Sequence, residues 1–264
     1  MVEEPLHDIV PLALPQRTII DGADTGAVLI HGFSGSPFQM RDVGEFLNTH
    51  GISTFIIRLP GHGSRLEYFA RSRYDDWIGA VHMGVEEMKQ KCRSVVLIGR
   101  SFGGTLAILE AHNRPKNVAG IVLIAVPYPR LMYRVQDSLI PIAGMFKKSI
   151  RKMWARPEEN EERKLQGRYL ELPLTSLHQF FMTMEKIRSA NLKNFQTPVM
   201  IVQGMKDEQA KPRNMGWYET RLGNAIKDIV LIGNATHDAP SLHSDKEMQK
   251  RLVAFIKKSC NVGY

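Results

Sequence analysis

Short apolar runs alternate along the chain with longer amphipathic stretches. The runs fall at residues 27–30, 54–57, 95–98, 121–126, 199–202 and 229–232. They are rich in Val and Ile and do not alternate with polar residues, as strands buried on both faces should read. Between them the apolar positions take up helical spacing. Trp77, Val81, Val85 and Met88 share one face, as do Met248, Leu252, Phe255 and Ile256. This rhythm predicts an α/β fold, a mostly parallel sheet flanked by helices.

The rhythm breaks once, between Val126 and Thr197. That stretch has no convincing strand and is rich in Met, basic residues and helix formers, with Pro127, Pro129 and Pro198 at its ends. A compact domain seldom carries a structureless loop of that length, so an inserted helical subdomain is expected. The division is a core of residues 1–126 and 193–264 and a helical cap of residues 127–192. A cap so placed would cover the strand ends where α/β proteins carry their sites.

Composition narrows the function classes. With 264 residues, 43% hydrophobic and 23% charged, the chain can bury one large core. Its net charge of +8 comes from scattered cations without a nucleic-acid-binding motif, so no nucleic-acid partner is expected. Cys92 and Cys260 match no metal or redox spacing and read as unpaired thiols in a reducing compartment. The N-terminus is acidic where a signal peptide is basic, and no run of about 18 apolar residues occurs. A cytoplasmic protein without a transmembrane segment is the expectation.

The strongest chemical signal is Gly99-Arg100-Ser101-Phe102-Gly103, directly after the 95–98 run and before the helical stretch 105–112. A sharp strand-to-helix turn of this type strains its serine and exposes the hydroxyl, and glycines on either side relieve the crowding. Ser101 is therefore the candidate nucleophile. The segment lacks the Gly-Lys-Ser/Thr ending of a phosphate loop. Acyl transfer also needs donors for an oxyanion. The backbone N–H of Phe102 is one candidate. The N–H of Phe33, in the loop His31-Gly32-Phe33-Ser34-Gly35, is the other. The Phe33 ring is then free to line an acyl pocket. His31 reads as a structural, hydrogen-bonded histidine, and His62, in Gly61-His62-Gly63, as a buttress to that loop.

If chain order is Ser, acid, His, the base follows the last strand. His237 fits, with His243 as runner-up. The acid should end the preceding strand, which favours Asp207; Glu208 should point away, and Asp228 precedes its strand.

Together these residues resemble the carboxylesterase and monoacylglycerol-lipase branch of the α/β-hydrolases. His31 to Ser36 looks like the oxyanion loop of that family and Gly61-His62-Gly63 like its second-strand turn. Asp75-Asp76-Trp77 resembles a recurrent helix start, and Lys206-Asp207-Glu208 the acid loop. The resemblance implies an α/β-hydrolase fold with a mainly helical cap, a hydrophobic acyl channel, and hydrolysis of short- to medium-chain esters or monoacylglycerols. It implies no cofactor and no metal. Two positions depart from the pattern. Arg100 stands where smaller or apolar residues are usual, which puts a cation at the acyl-pocket rim and makes it, with Phe33, a substrate-binding candidate. Thr236-His237-Asp238 replaces the common Ser-Gly-His.

Thioesterase, amidase, C–C hydrolase and acyltransferase chemistry share the same site. A dehalogenase or epoxide hydrolase would carry Asp at position 101. A non-catalytic binding protein would not need the full Ser101, Asp207 and His237 set. The segment 146–154 mixes cations with Phe146, Met153 and Trp154, a pattern of peripheral membrane contact. The favoured reading is a cap helix with a solvated basic face and negligible vesicle binding, since the acidic run 158–162 follows. Met132, Met145, Met153, Met182 and Met184 suit an adaptable apolar lining.

Overall fold

A computed structural model describes residues 4–145, 147–151, 160–237 and 245–261. Among the described residues, seven strands form one sheet. In chain order the elements begin with β1 (Gln16–Thr18), β2 (Thr25–Ile30), α1 (Arg41–Asn48) and β3 (Ser53–Ile57). Next come α2 (Leu66–Arg71), α3 (Tyr74–Lys89), β4 (Ser94–Arg100), α4 (Phe102–Asn113) and β5 (Gly120–Ile124). After β5 the chain leaves the sheet for α5 (Met132–Ser138), α6 (Ile140–Gly144), β6 (Ser149–Arg151), α7 (Asn160–Leu165), β7 (Glu171–Pro173) and α8 (Leu174–Ser189). It returns through β8 (Val199–Gly204), α9 (Met215–Leu222), β9 (Ile226–Ile232) and α10 (Lys246–Asn261).

The strand order is β1-β3-β2-β4-β5-β8-β9, parallel except for β1. All six expected runs are strands of this sheet. Alternate side chains point to opposite faces of a strand, and each face has its own core. Val28, Ile30, Val95 and Leu97 pack with Trp77, Val81, Val85 and Met88 of α3 and with Phe102 and Leu106 of α4. Ala27, Leu29, Val96 and Ile98 pack with Val43 and Leu47 of α1 and with Met248, Leu252 and Ile256 of α10. Each fully buried large aliphatic or aromatic side chain contributes about 1.5–3 kcal/mol. Both helical stripes in the sequence are thus core.

Some boundaries differ from expectation. The 121–126 run leaves the sheet after Ile124 because Ala125 adopts φ 51°. Helix α4 starts at Phe102 rather than 105; Gly103 and Gly104 are poor helix formers, but they sit where neighbours crowd the backbone. Asp228 lies within β9 and pairs with Arg251.

Among its described residues, the stretch between β5 and β8 contributes no strand to the main sheet. It is mostly helical but also holds an antiparallel pair, β6 with β7, three residues each. Runs so short carry no periodicity, so the sequence does not announce this pair. The Tyr169 hydroxyl fastens the stretch to the turn after β3, donating to the Gly61 carbonyl at 2.6 Å and accepting from the Ser64 N–H at 3.2 Å. Tyr218 donates to the Pro127 carbonyl at 2.7 Å. Phe146 and residues 152–154 of the basic-apolar segment lie outside the described residues, as does His243. Lys147, Lys148 and Arg151 are exposed. Just before them, Leu131, Val135, Leu139, Ile142 and Met145 form an apolar stripe along α5 and α6, between 53% and 79% exposed. Among the described residues, no helix is long and apolar enough to cross a membrane. Cys92 and Cys260 are both free thiols.

Candidate active site

Ser101 sits between the central strand β4 and helix α4, with φ 52° and ψ −121°. A non-glycine residue there costs on the order of 1–3 kcal/mol and persists only where its surroundings enforce it. Two contacts do so. The Ser101 N–H donates to the Ile124 carbonyl at 2.8 Å, and the Gly104 N–H donates to the Ser101 carbonyl at 2.9 Å. The flanking glycines permit the bend. A Cβ at Gly99 would stand 2.4 Å from Gly103 backbone atoms, and one at Gly103 would stand 2.3 Å from the Ile30 carbonyl oxygen. Because α4 begins at Phe102, the first N–H groups of a 12-residue helix gather beside Ser101. Those amides lack intrahelical partners and sit at the positive end of the helix dipole.

The loop after β2 approaches from the other side. A Cβ on Gly32 would stand 3.4 Å from the Ser101 Cβ, so the loop that carries Phe33 passes directly beside the serine. The Gly32 N–H donates to Gln39 Oε1 at 3.2 Å, which orients this loop. The Phe33 ring lines the cavity, but it is also packed into an aromatic cluster. Its centroid lies 4.9 Å from Phe180, 5.2 Å from Phe69 and 5.6 Å from Phe102.

His31 is fully buried. Its Nδ1–H donates to the Gly32 carbonyl at 2.9 Å, and its Nε2 accepts the Leu59 N–H at 3.1 Å. Burial pushes its pKa down to about 4, opposed by the Gly32 bond and aided by the charge of Arg58. The ring is structural. His62 packs 5.1 Å from it, centroid to centroid, and the Trp77 Nε1–H donates to the Pro60 carbonyl at 3.1 Å. The Gly-His-Gly turn therefore buttresses the loop that carries Phe33.

Asp207 lies just past β8, and its side chain is wholly buried. Oδ1 accepts the N–H groups of Gln209 at 2.8 Å and Ala210 at 2.7 Å. Oδ2 lies 2.8 Å from His237 Nδ1 and 3.4 Å from Gln203 Nε2. His237, in the loop after β9, is held further by the Lys206 N–H donating to the Ala235 carbonyl at 3.0 Å. Glu208 is exposed and lines the same cavity, while the bond to the His237 ring is made by Asp207.

A cavity of about 480 Å³ joins these groups. Ser101, His237, Gly32, Phe33 and Arg100 line its floor, and Tyr133, Leu172, Leu177, Phe180 and Phe181 supply apolar wall from the inserted stretch. Arg130, Arg163 and Arg168 also face it. None of these wall residues is marked by a sequence motif; the aromatic pair Phe180-Phe181 on α8 is the nearest to a signal. No methionine is among the described lining residues. Met184 is buried in the core, while Met145 and Met182 are on the surface, and Met153 lies outside the described residues. Arg100 lines the cavity, and its Nη2 donates to the His237 carbonyl at 2.8 Å.

Most of the chain is matched by a family model. The model of the alpha/beta hydrolase family covers residues 27–251. This chain belongs to the alpha/beta hydrolase family. Two curated relatives are similar over most of its length. The thermostable monoacylglycerol lipase of Bacillus sp. (strain H-257) is 27% identical over 253 residues, 92% of this chain and 98% of that protein. The carboxylesterase of Bacillus subtilis (strain 168) is 26% identical over 198 residues, 73% of this chain and 76% of that protein. In fold, the chain is similar to a solved structure from the metagenome-derived lipolytic enzymes LipS and LipT. That match has a TM-score of 0.79 and 23% identity over 95% of this chain and 99% of the other.

Proposed function

We propose that this alpha/beta hydrolase is a serine hydrolase of carboxylic esters, with monoacylglycerols and other short- to medium-chain acyl esters as its substrates. The observation that carries the reading is the geometry around one cavity. A strained Ser101 and His237 both line it, and His237 Nδ1 is bonded to a buried Asp207 carboxylate. The likeness to the two Bacillus enzymes supports the substrate class.

In this reading Ser101 Oγ attacks the ester carbonyl carbon while His237 Nε2 takes its proton. Asp207 holds the imidazole with Nδ1–H toward its carboxylate, leaving Nε2 as the basic nitrogen. The N–H groups of Phe33 and Phe102 receive the oxyanion. As the tetrahedral intermediate collapses, the C–O bond to the alcohol breaks and His237 returns the proton to that oxygen. Water then attacks the acyl-enzyme by the reverse route, giving the carboxylic acid and free Ser101. Residues 127–192 act as the cap over this site, with Tyr133, Phe180 and Phe181 against the acyl chain. The exposed stripe of α5 and α6, flanked by Arg134, Lys147, Lys148 and Arg151, delivers substrate from an anionic lipid surface.

Purified S101A should fold as wild type, hydrolyse p-nitrophenyl butyrate and monoacylglycerol at least about 10³-fold more slowly, and resist a fluorophosphonate probe. Wild-type turnover in S101A would remove the assignment.

A further inference from the structure

Arg100 is the last residue of β4, and Ser101 follows it directly. Its guanidinium reaches across to the His237 carbonyl at 2.8 Å, although β5 and β8 lie between β4 and β9 in the sheet. Other ties on the His237 loop run to the β8 side. The Met205 N–H donates to the Ile232 carbonyl at 2.9 Å, the Lys206 N–H to Ala235 at 3.0 Å, and the ring itself meets Asp207. These contacts hold the approach to His237 and its Nδ1 edge. Arg100 holds the carbonyl of His237 itself, from the strand that carries the serine.

We propose that Arg100 is a positioning residue that ties the backbone of His237 to the Ser101 turn, so that the imidazole meets the hydroxyl. The inference rests on His237 being the base of the proposed reaction. The Ser101 backbone is held in its strained conformation, φ 52°, with both its N–H and its carbonyl bonded, so the hydroxyl can follow a displaced base only by rotating about Cα–Cβ. The base must therefore be brought to the serine, and a charge-assisted bond to a carbonyl is strong enough to do so. Arginine suits the task because its charge persists at every working pH and its planar group offers several donors. A contact made to the enzyme's own backbone acts equally on every ester substrate.

The test compares R100M, which has no donor, with R100K, which keeps one, alongside H237A. Steady-state kinetics on p-nitrophenyl butyrate and thermal melts are measured for each. R100M should lower kcat about 10- to 100-fold with KM within about twofold, as expected for a misplaced reacting group. R100K should recover part of that loss, and fluorophosphonate labelling of Ser101 should slow in parallel with kcat. A rise in KM at unchanged kcat would make Arg100 a substrate contact and overturn the proposal. Should R100M not fold, R100Q, whose amide stops short of the carbonyl, replaces it. Failure of both to fold would reduce Arg100 to a structural residue and equally overturn it. Wild-type turnover in H237A would instead defeat the reading of the base, whatever the Arg100 variants do.

Discussion

His237 Nδ1 stands 2.8 Å from Asp207 Oδ2, while Asp207 Oδ1 accepts two backbone N–H groups. The carboxylate is thus surrounded by donors on both oxygens. An Asn at 207 can place only one oxygen, so its NH₂ must face either the His237 ring or the two amides. D207N should lower kcat about 10³- to 10⁴-fold through the wrong tautomer. It should also lose about 1–3 kcal/mol of stability from the mismatched donors. Stopped assays and urea melts measure the two effects; an Asn variant with wild-type kcat would separate Asp207 from the chemistry.

The buried His31 makes stability depend on pH. Its folded pKa, about 4, lies below its ordinary value of 6.5, so the unfolded chain binds the proton first as pH falls. The contribution is fully present above pH 6.5 and is lost as pH drops through about 4. Its size is on the order of 3 kcal/mol. Urea midpoints should fall between pH 6.5 and 4, with a shallower fall in His31→Gln. An equal fall in both proteins would assign the effect to other groups.

Gly103 packs its Cα against the end of β2, where an added Cβ would meet the Ile30 carbonyl at 2.3 Å and the His31 carbonyl at 2.7 Å. Neither backbone atom can turn aside. G103A should push the start of α4 away from β2 and cost about 1–3 kcal/mol, as for overpacked cores. Because the Phe102 N–H moves with that turn, fluorophosphonate labelling should also slow by more than about tenfold. Labelling at the wild-type rate in a destabilised G103A would show that the oxyanion donors do not depend on this contact.

The segment 146–154, read from sequence, favours negligible vesicle binding. The exposed stripe on α5 and α6 favours the alternative, peripheral contact, because Leu139, Ile142 and Met145 are followed in the chain by the exposed Lys147, Lys148 and Arg151. The wild-type protein should co-sediment with phosphatidylglycerol-containing vesicles at low salt and less at high salt. The double variant L139S/M145S should bind about tenfold more weakly, at somewhat over 1 kcal/mol for the two lost apolar contacts. Equal binding by wild type and variant would take the stripe out of the interface.

The core was legible in the sequence, and so was the chain order of the proposed site residues, because their signals are local. Val- and Ile-rich runs specify strands buried on both faces, and glycines around Ser101 specify a bend that only small neighbours allow. His237 and Asp207 were readable because a parallel sheet brings the loops after its strands to one edge. Contacts set by distant segments were not readable. Nothing near Glu208 in the chain says that it lines the cavity. Nor does anything near residue 149 announce a pairing with residue 173, or near Met184 a place in the core rather than the cavity wall. Arg100 shows the division most plainly. Its identity marked it as unusual beside the candidate nucleophile, yet only the folded chain brings its guanidinium to the His237 carbonyl. A strand's composition fixes which faces are buried, whereas the partner of a long flexible side chain depends on what the remaining chain places within its reach.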